Sequence, residues 1–170
     1  VASLQVSTDA PSWYHPGRSG AFKLGPKVLG WFGEIHPGVL TSLDVAGPTV
    51  GFEVFIDSIP VPKRKAARTR PALKTSDFQA VERDFAFVVE DAVAADQLVR
   101  AAQSVDKKLI TAVSVFDLYA GKGIDAGHKS VAIAVRLQPT DGTLTDEDIE
   151  AVATKVVENV TRQTGGKLRG

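Results

Sequence analysis

Between Asp84 and Val89 apolar and polar side chains alternate, with Phe85, Phe87 and Val89 on one face, which predicts a half-buried strand. From Ala92 to Val105 the period lengthens, and Leu98, Ala101, Ala102 and Val105 recur at helical spacing. Alternation returns over Ile110–Tyr119 and over Ser130–Leu137, two strands separated by the glycines at 121, 123 and 127 and so expected to form a hairpin. Thr145 with Asp148 three residues on reads as a capping box, and Asp146 and Glu147 add favourable charge to the first turn. The helix that follows carries the stripe Ile149, Val152, Ala153, Val156, Val157 and Val160, and Gly165-Gly166 stops it before a short last strand, Lys167–Arg169.

The order β-α-β-β-α-β is that of the split βαβ, ferredoxin-like arrangement, and it sets the fold class as α+β. Two right-handed crossovers place both helices on one side of a four-stranded antiparallel sheet and leave the other side open. In the third strand Val131, Ile133, Val135 and Leu137 are expected to face the helices. Ser130, Ala132, Ala134 and Arg136 then form a flat, small-residue open surface, fit either for close approach of a partner or for plain solvent.

The first part of the chain is patterned less cleanly. Leu4–Val6 reads as a strand edge, Ala21–Leu24 and Lys27–Gly33 as strands around a Gly25-Pro26 turn, and Val50–Ile56 as a strand with Phe52, Val54 and Ile56 on one face. Pro37 opens a short helix expected to run to about Gly47-Pro48. This is half a core, expected to pack on missing upstream sequence or on the second domain. The absence of an initiator Met and an opening in mid-pattern at Val1 suggest a piece of something longer.

Charge changes this picture more than composition does. The net charge of the 170 residues is zero, which argues against a nucleic-acid binder until its distribution is read. Residues 1–62 carry three basic and five acidic side chains, residues 63–74 six basic and none acidic, and residues 75–170 eleven basic and fifteen acidic. The basic run lies in a proline-punctuated stretch that reads as a solvated linker, and a domain boundary is placed there. Any contact with phosphate must use local patches, because each flanking domain as a whole repels it. The chain has no cysteine, so disulfides, thiolate metal sites and cysteine nucleophiles are excluded. No apolar run is long enough to span a membrane.

Several segments carry a family likeness. Glu82-Arg-Asp-Phe85, Val115-Phe-Asp-Leu-Tyr119, Gly121-Lys-Gly123, His128-Lys-Ser130 and the closing Gly-Gly-Lys-Leu-Arg resemble the ferredoxin-fold anticodon-binding domain in order and spacing. Upstream, Trp13-Tyr-His-Pro-Gly-Arg-Ser19, Leu29-Gly-Trp-Phe-Gly-Glu-Ile-His-Pro-Gly38 and Phe52-Glu-Val54 resemble the end of the catalytic-like module in the beta subunits of bacterial phenylalanine–tRNA ligases. An organellar ligase also ends in such an anticodon domain, but its preceding module should carry catalytic motifs, and none is found here. Two positions depart from the pattern: Ala120 stands where relatives often have Arg, and His128 where Tyr or Lys is usual.

The resemblance implies a division into residues 1–62, the end of a non-catalytic module, a linker over 63–76, and an anticodon-binding domain over 77–170. It implies a cytoplasmic part of an aminoacyl-tRNA synthetase that positions the anticodon arm of tRNA(Phe), without a membrane. The alpha subunit of an α2β2 assembly would carry out aminoacylation with ATP and Mg2+, and this piece would bind no cofactor and be non-catalytic alone. The competing reading is a protein–protein assembly module that uses the open sheet face without touching RNA.

Candidate RNA contacts follow from charge and position. Lys122, His128 and Lys129 cluster on the hairpin, where glycines permit close approach to phosphate; their alternative is a solvated turn. Arg136 stands on the open face, and Arg83 lies beside the first strand, where it would contact RNA or pair with Asp84 or Asp117. Lys63, Arg64, Lys65, Arg68 and Arg70 would track a sugar–phosphate backbone or remain a solvated linker. Phe116 and Tyr119 offer rings for base stacking, or packing within the hairpin. His15 and His36, each before Pro-Gly, lack companions at metal-ligand spacing and read as turn residues whose imidazoles bond nearby backbone.

Overall fold

The computed structural model describes residues 4–61 and 75–169. The chain divides into two compact units, Val1–Arg70 and Pro71–Gly170, each built on its own four-stranded antiparallel sheet.

In the first unit the strands are β1 (Gln5–Ser7), β2 (Tyr14–Leu24), β3 (Lys27–Ile35) and β4 (Val50–Val54), neighbours in chain order. The Gly25-Pro26 turn joins β2 to β3 with Leu24 opposite Lys27, as expected. β2 is much longer than the apolar pattern suggested because it starts at Tyr14 and runs through His15-Pro16-Gly17. The register breaks between Tyr14 and Ser19, which accommodates a proline with no N–H to give to the ladder. One face carries Tyr14, Ala21, Leu29 and Trp31, with Trp31 edge-on to both Trp13 and Phe55. Glu53 joins this face from β4, accepting hydrogen bonds from the Trp13 indole N–H at 3.1 Å and the Tyr14 hydroxyl at 3.0 Å. Burial and that carboxylate together raise the Tyr14 pKa above its ordinary value. On the opposite face Val6, Phe22, Phe32 and Phe52 line up across the four strands, with Phe22 stacked on Phe32. This apolar row leaves Phe52 77% exposed.

Helix α1 spans Pro37–Ser42 and is shorter than expected. The hydroxyls of Thr41 and Ser42 donate to the carbonyls of Pro37 and Val39, and Asp44 takes a left-handed conformation at φ 54°, so the chain leaves the helix before Gly47.

The second unit has β5 (Val81–Glu90), α2 (Ala95–Gln103), β6 (Ile110–Tyr119), β7 (His128–Leu137), α3 (Asp146–Thr164) and β8 (Lys167–Leu168). The sheet order is β6-β7-β5-β8, every pair antiparallel. This is the expected α+β, ferredoxin-like arrangement, with the first and third strands of the unit at the centre. Phe87, Val89, Val131, Ile133, Val135 and Leu137 form a continuous core with Leu98, Ala101 and Ala102 of α2 and Ile149, Val156 and Val160 of α3. α2 begins three residues later than its periodicity suggested, because Ala94 is extended and its N–H is accepted by the Gln97 side chain. At α3 the capping box is as read: the Thr145 hydroxyl accepts from the Asp148 N–H, and the Asp148 carboxylate accepts from the Thr145 N–H. Gly165, at φ 70°, ends the helix in the left-handed conformation that glycine adopts without a Cβ penalty. Among the described residues no helix is long and apolar enough to cross a membrane.

Candidate nucleic-acid interface

Side chains of directly paired residues in an antiparallel sheet point to the same side, so the register assigns each residue to the helix side or the open side. On the open side β5 contributes Glu82, Asp84, Ala86, Val88 and Glu90, and β7 contributes Arg136, Ala134, Ala132, Ser130 and His128. The outer strand β6 adds Ala112, Ser114, Asp117 and Tyr119, and β8 adds Lys167, opposite Val88. Arg169 follows one alternation later, its N–H donating to the Ala86 carbonyl.

This face is polarised along the strands. Glu82 and Asp84 occupy one end, with Asp117 nearer the middle; Arg136, which faces the same end, lies 3.9 Å from Glu82. The other end gathers Tyr119, Lys122, His128, Lys167 and Arg169, with the carboxylates of Glu90 and, in the hairpin loop, of Asp125 among them. Phosphate is repelled by the first end and attracted by the second.

Tyr119 is fixed at the cationic end by three neighbours. Its hydroxyl donates to the Lys122 carbonyl at 3.1 Å. Gly121 lies against the ring, so that a Cβ there would stand 3.0 Å from the hydroxyl oxygen. The Arg169 guanidinium lies over the ring, 5.8 Å from its centroid. Tyr119 and Arg169 belong to opposite edges of the sheet, and their contact bridges the two central strands. The expectation that Ser130 and Ala132 form an open, small-residue surface is therefore corrected. Beneath this bridge they are 4% and 8% exposed, and of the small residues on β7 only Ala134 keeps part of its surface.

The candidate cations separate into three groups. Lys122 and His128 stand at the cationic end, the His128 Nδ1 lying 3.4 Å from the Ala126 carbonyl oxygen. Lys129 and Arg83 turn to the helix side: Lys129 pairs with Val89 and donates to the Asp91 carbonyl at 2.6 Å, while Arg83 pairs with Val135 and borders the apolar seam of Phe85, Ile149 and Val152. Arg83 forms neither expected ion pair, with Asp84 or with Asp117. Arg136 lies at the acidic end. Lys63, Arg64, Lys65, Arg68 and Arg70 lie outside the described residues. Phe116 falls in a bulge between Val115 and Asp117 and is 57% exposed.

Sequence reasoning passed over Lys167 and Arg169. Their signal was present in the alternation Lys-Leu-Arg, which places both cations on one side once Leu168 pairs with Phe87.

His15 and His36 each accept, through Nδ1, a hydrogen bond from the N–H two residues on, that of Gly17 at 3.1 Å and of Gly38 at 3.0 Å. Both imidazoles thus bond backbone as read, although His15 lies in an interrupted strand and His36 caps α1. Among the described residues no group of three or more His, Cys, Asp or Glu side chains is placed to hold a metal ion.

Residues 1–56 match the model of the phenylalanyl tRNA synthetase beta chain CLM domain. Over its whole length the chain is 61% identical to the phenylalanine–tRNA ligase beta subunit of Mesorhizobium japonicum. It is 60% identical to those of Paramagnetospirillum magneticum, over 99% of the chain, and Rhodopseudomonas palustris, over all of it. In each case the chain spans 21% of the relative's length, in its C-terminal part. Residues 76–169, more than half of the chain, match the ferredoxin-fold anticodon binding domain, and with the sheet order described above this shows that the chain belongs to that family.

Proposed function

We propose that this chain is the tRNA-binding portion of a phenylalanine–tRNA ligase beta subunit, holding the anticodon arm of tRNA(Phe) in register for aminoacylation elsewhere in the enzyme. In this reading the chain is part of a cytoplasmic ligase and has no catalytic group of its own. The alpha subunit, in an α2β2 assembly, carries out the ATP- and Mg2+-dependent chemistry. The family match and the names of the relatives support the assignment to this enzyme. The observation that carries RNA binding is the separation of charge on the open face, with Lys122, His128, Lys167 and Arg169 around Tyr119 at one end and Glu82 and Asp84 at the other. A chain with no net charge can attract phosphate only through such a local field.

The assembly reading asks the same face to bind protein. Against it stands the charge on that face, where Glu82, Asp84, Glu90 and Lys167 are of the residue types depleted at protein interfaces.

The test is binding of the chain to a tRNA(Phe) anticodon stem-loop across a salt series, beside an unrelated stem-loop. Preferential binding that weakens steeply with salt is expected. Lys122→Ala should weaken it and lower the salt slope by about one. Arg136→Ala, beside Glu82, should change the slope far less. No binding at low salt would reduce the chain to a scaffold acting only within the assembled enzyme.

A further inference from the structure

We propose that the cleft between α2 and α3 is a docking groove for an extended acidic segment of a partner protein, one that carries two carboxylates three residues apart. The inference is independent of the RNA-binding reading, because the cleft lies on the helix side of the second unit, across the sheet from the charged open face.

The cleft has a volume of about 580 Å³, and its lining includes Ser104 at the end of α2 with Lys155, Glu158, Asn159, Arg162 and Gln163 of α3. A smaller hollow of about 270 Å³ adjoins it at Ser104 and adds Arg100 and Lys107. Asn159 builds the cleft. Its amide nitrogen donates to the Ala101 carbonyl at 2.7 Å and to the Ser104 hydroxyl at 3.0 Å, which ties α3 to the last turn of α2. Its amide oxygen accepts from the Arg162 guanidinium at 2.5 Å and from the Gln163 amide at 3.2 Å. The whole bonding capacity of that amide is spent on holding the rim, which leaves the other guanidinium N–H groups of Arg162 to meet a carboxylate. Lys107, Lys155 and Arg162 form no ion pair among the described residues, whereas Arg100 pairs with Asp96. The Asp106 carboxylate, close enough to feel Lys155, is taken up by the N–H groups of Lys108 and Leu109.

Spacing then selects the ligand. Lys155 and Arg162 lie two turns apart on α3, so they share one face at a separation of about 10.5 Å. In an extended, polyproline-type chain, residues three apart also face one way, at about 9.3 Å. Glu158 stands on α3 between the two cations and repels a negative charge placed midway. A nucleic-acid strand carries a charge at every nucleotide and would set one against Glu158. A peptide with two acidic residues and neutral ones between them meets both cations and avoids that carboxylate, a form of acidic-motif recognition by basic side chains.

The experiment titrates the isotope-labelled chain with a capped six-residue peptide in which two prolines separate two glutamates, and with an isomer whose glutamates are adjacent. The first peptide should bind and move the side-chain resonances of Asn159, Arg162 and Gln163, and the isomer should bind several-fold more weakly. Arg162→Gln should weaken binding of the first peptide by about tenfold. Glu158→Gln should strengthen binding of the isomer until the two peptides are nearly equal. Both positions are exposed, so the backbone spectra of the variants should otherwise match the wild type. No response at the cleft to either peptide overturns the proposal, and so does unchanged binding in Arg162→Gln. Movement of the same resonances by the anticodon stem-loop, with displacement of the peptide, would give the cleft to RNA and also overturn it. Failure of the stem-loop to bind the open face removes the RNA-binding reading and leaves this one standing.

Discussion

Phe52 and Ala132 each point to the open side of a four-stranded antiparallel sheet, yet Phe52 is 77% exposed and Ala132 only 8%. In the second unit both helices take up the apolar residues, so the open side is free to carry charge, and the Tyr119–Arg169 bridge shelters its small residues. In the first unit the open side is itself apolar, with Val6, Phe22, Phe32 and Phe52 in a row. Such a surface is suited to burial under other protein, whereas the charged one is suited to water and to a charged ligand. An uncovered sheet face is therefore no pointer to a ligand by itself; its composition decides what can settle there.

The contrast is most easily broken in the core of the second unit. Phe87→Ala, at a fully buried site, should cost about 3–5 kcal/mol. In urea the helical circular dichroism signal, dominated by α2 and α3, should unfold earlier. Tryptophan fluorescence, which reports only Trp13 and Trp31 of the first unit, should keep its wild-type midpoint. Movement of both midpoints together would show that the units unfold as one.

A smaller effect is expected at the start of α3. Thr145→Ala removes the cap and should cost about 1 kcal/mol. It should also change the response to acid. Hydrogen bonds from the Thr145 side chain and backbone hold the Asp148 carboxyl below its ordinary pKa, and the N–H groups of Leu109 and Lys108 do the same for Asp106. Each contribution is fully present above the unfolded carboxylate value and is lost as pH falls through the lowered folded one. Helix stability should therefore drop on acidification below about pH 4, and less steeply in Thr145→Ala. In the first unit Asp9 is held low by its hydrogen bond and ion pair with Lys23, so that unit should weaken in acid independently of the α3 cap.

The smallest change belongs to the apolar row. Phe52→Ser removes a ring that is mostly in water, so the fluorescence midpoint should move by no more than about 0.5 kcal/mol. A loss several times larger would mean that the row is packed in the isolated chain and would remove the contrast between the two faces.

The second unit was legible where periodicity and end signals agree. β6 starts and stops where its alternation does, and Thr145 and Gly165 bracket α3 as residues with a cap oxygen and a tolerated positive φ should. The first unit was harder because its longest strand contains Pro16 and is held by a register break, which leaves no period-2 trace. The candidate site was half legible. Lys122, His128 and Tyr119 stood out by residue type near glycines. Arg136, Arg83 and Lys129 looked equivalent to them in sequence and were separated only by register, which sends two to the helix side and one to the acidic end. Lys167 and Arg169 were read as a last strand but not as candidate contacts, because the face to which their alternation sends them is fixed only by the pairing of Leu168 with Phe87, and the bridge to Tyr119 joins the two edges of the sheet through a contact no local spacing encodes.

The bulge between Val115 and Asp117 also bears on how neighbouring molecules meet. β6 is a ten-residue outer strand with Val115, Phe116 and Leu118 exposed and no proline. Left straight, a border of that kind would template the addition of a strand from another chain and the start of an aggregate. The extra residue breaks the straight run and increases its twist, and Asp117 sets a charge in the middle of the apolar stretch. The irregularity that leaves Phe116 outside the ladder thereby acts as a guard against self-association along the exposed border of the sheet.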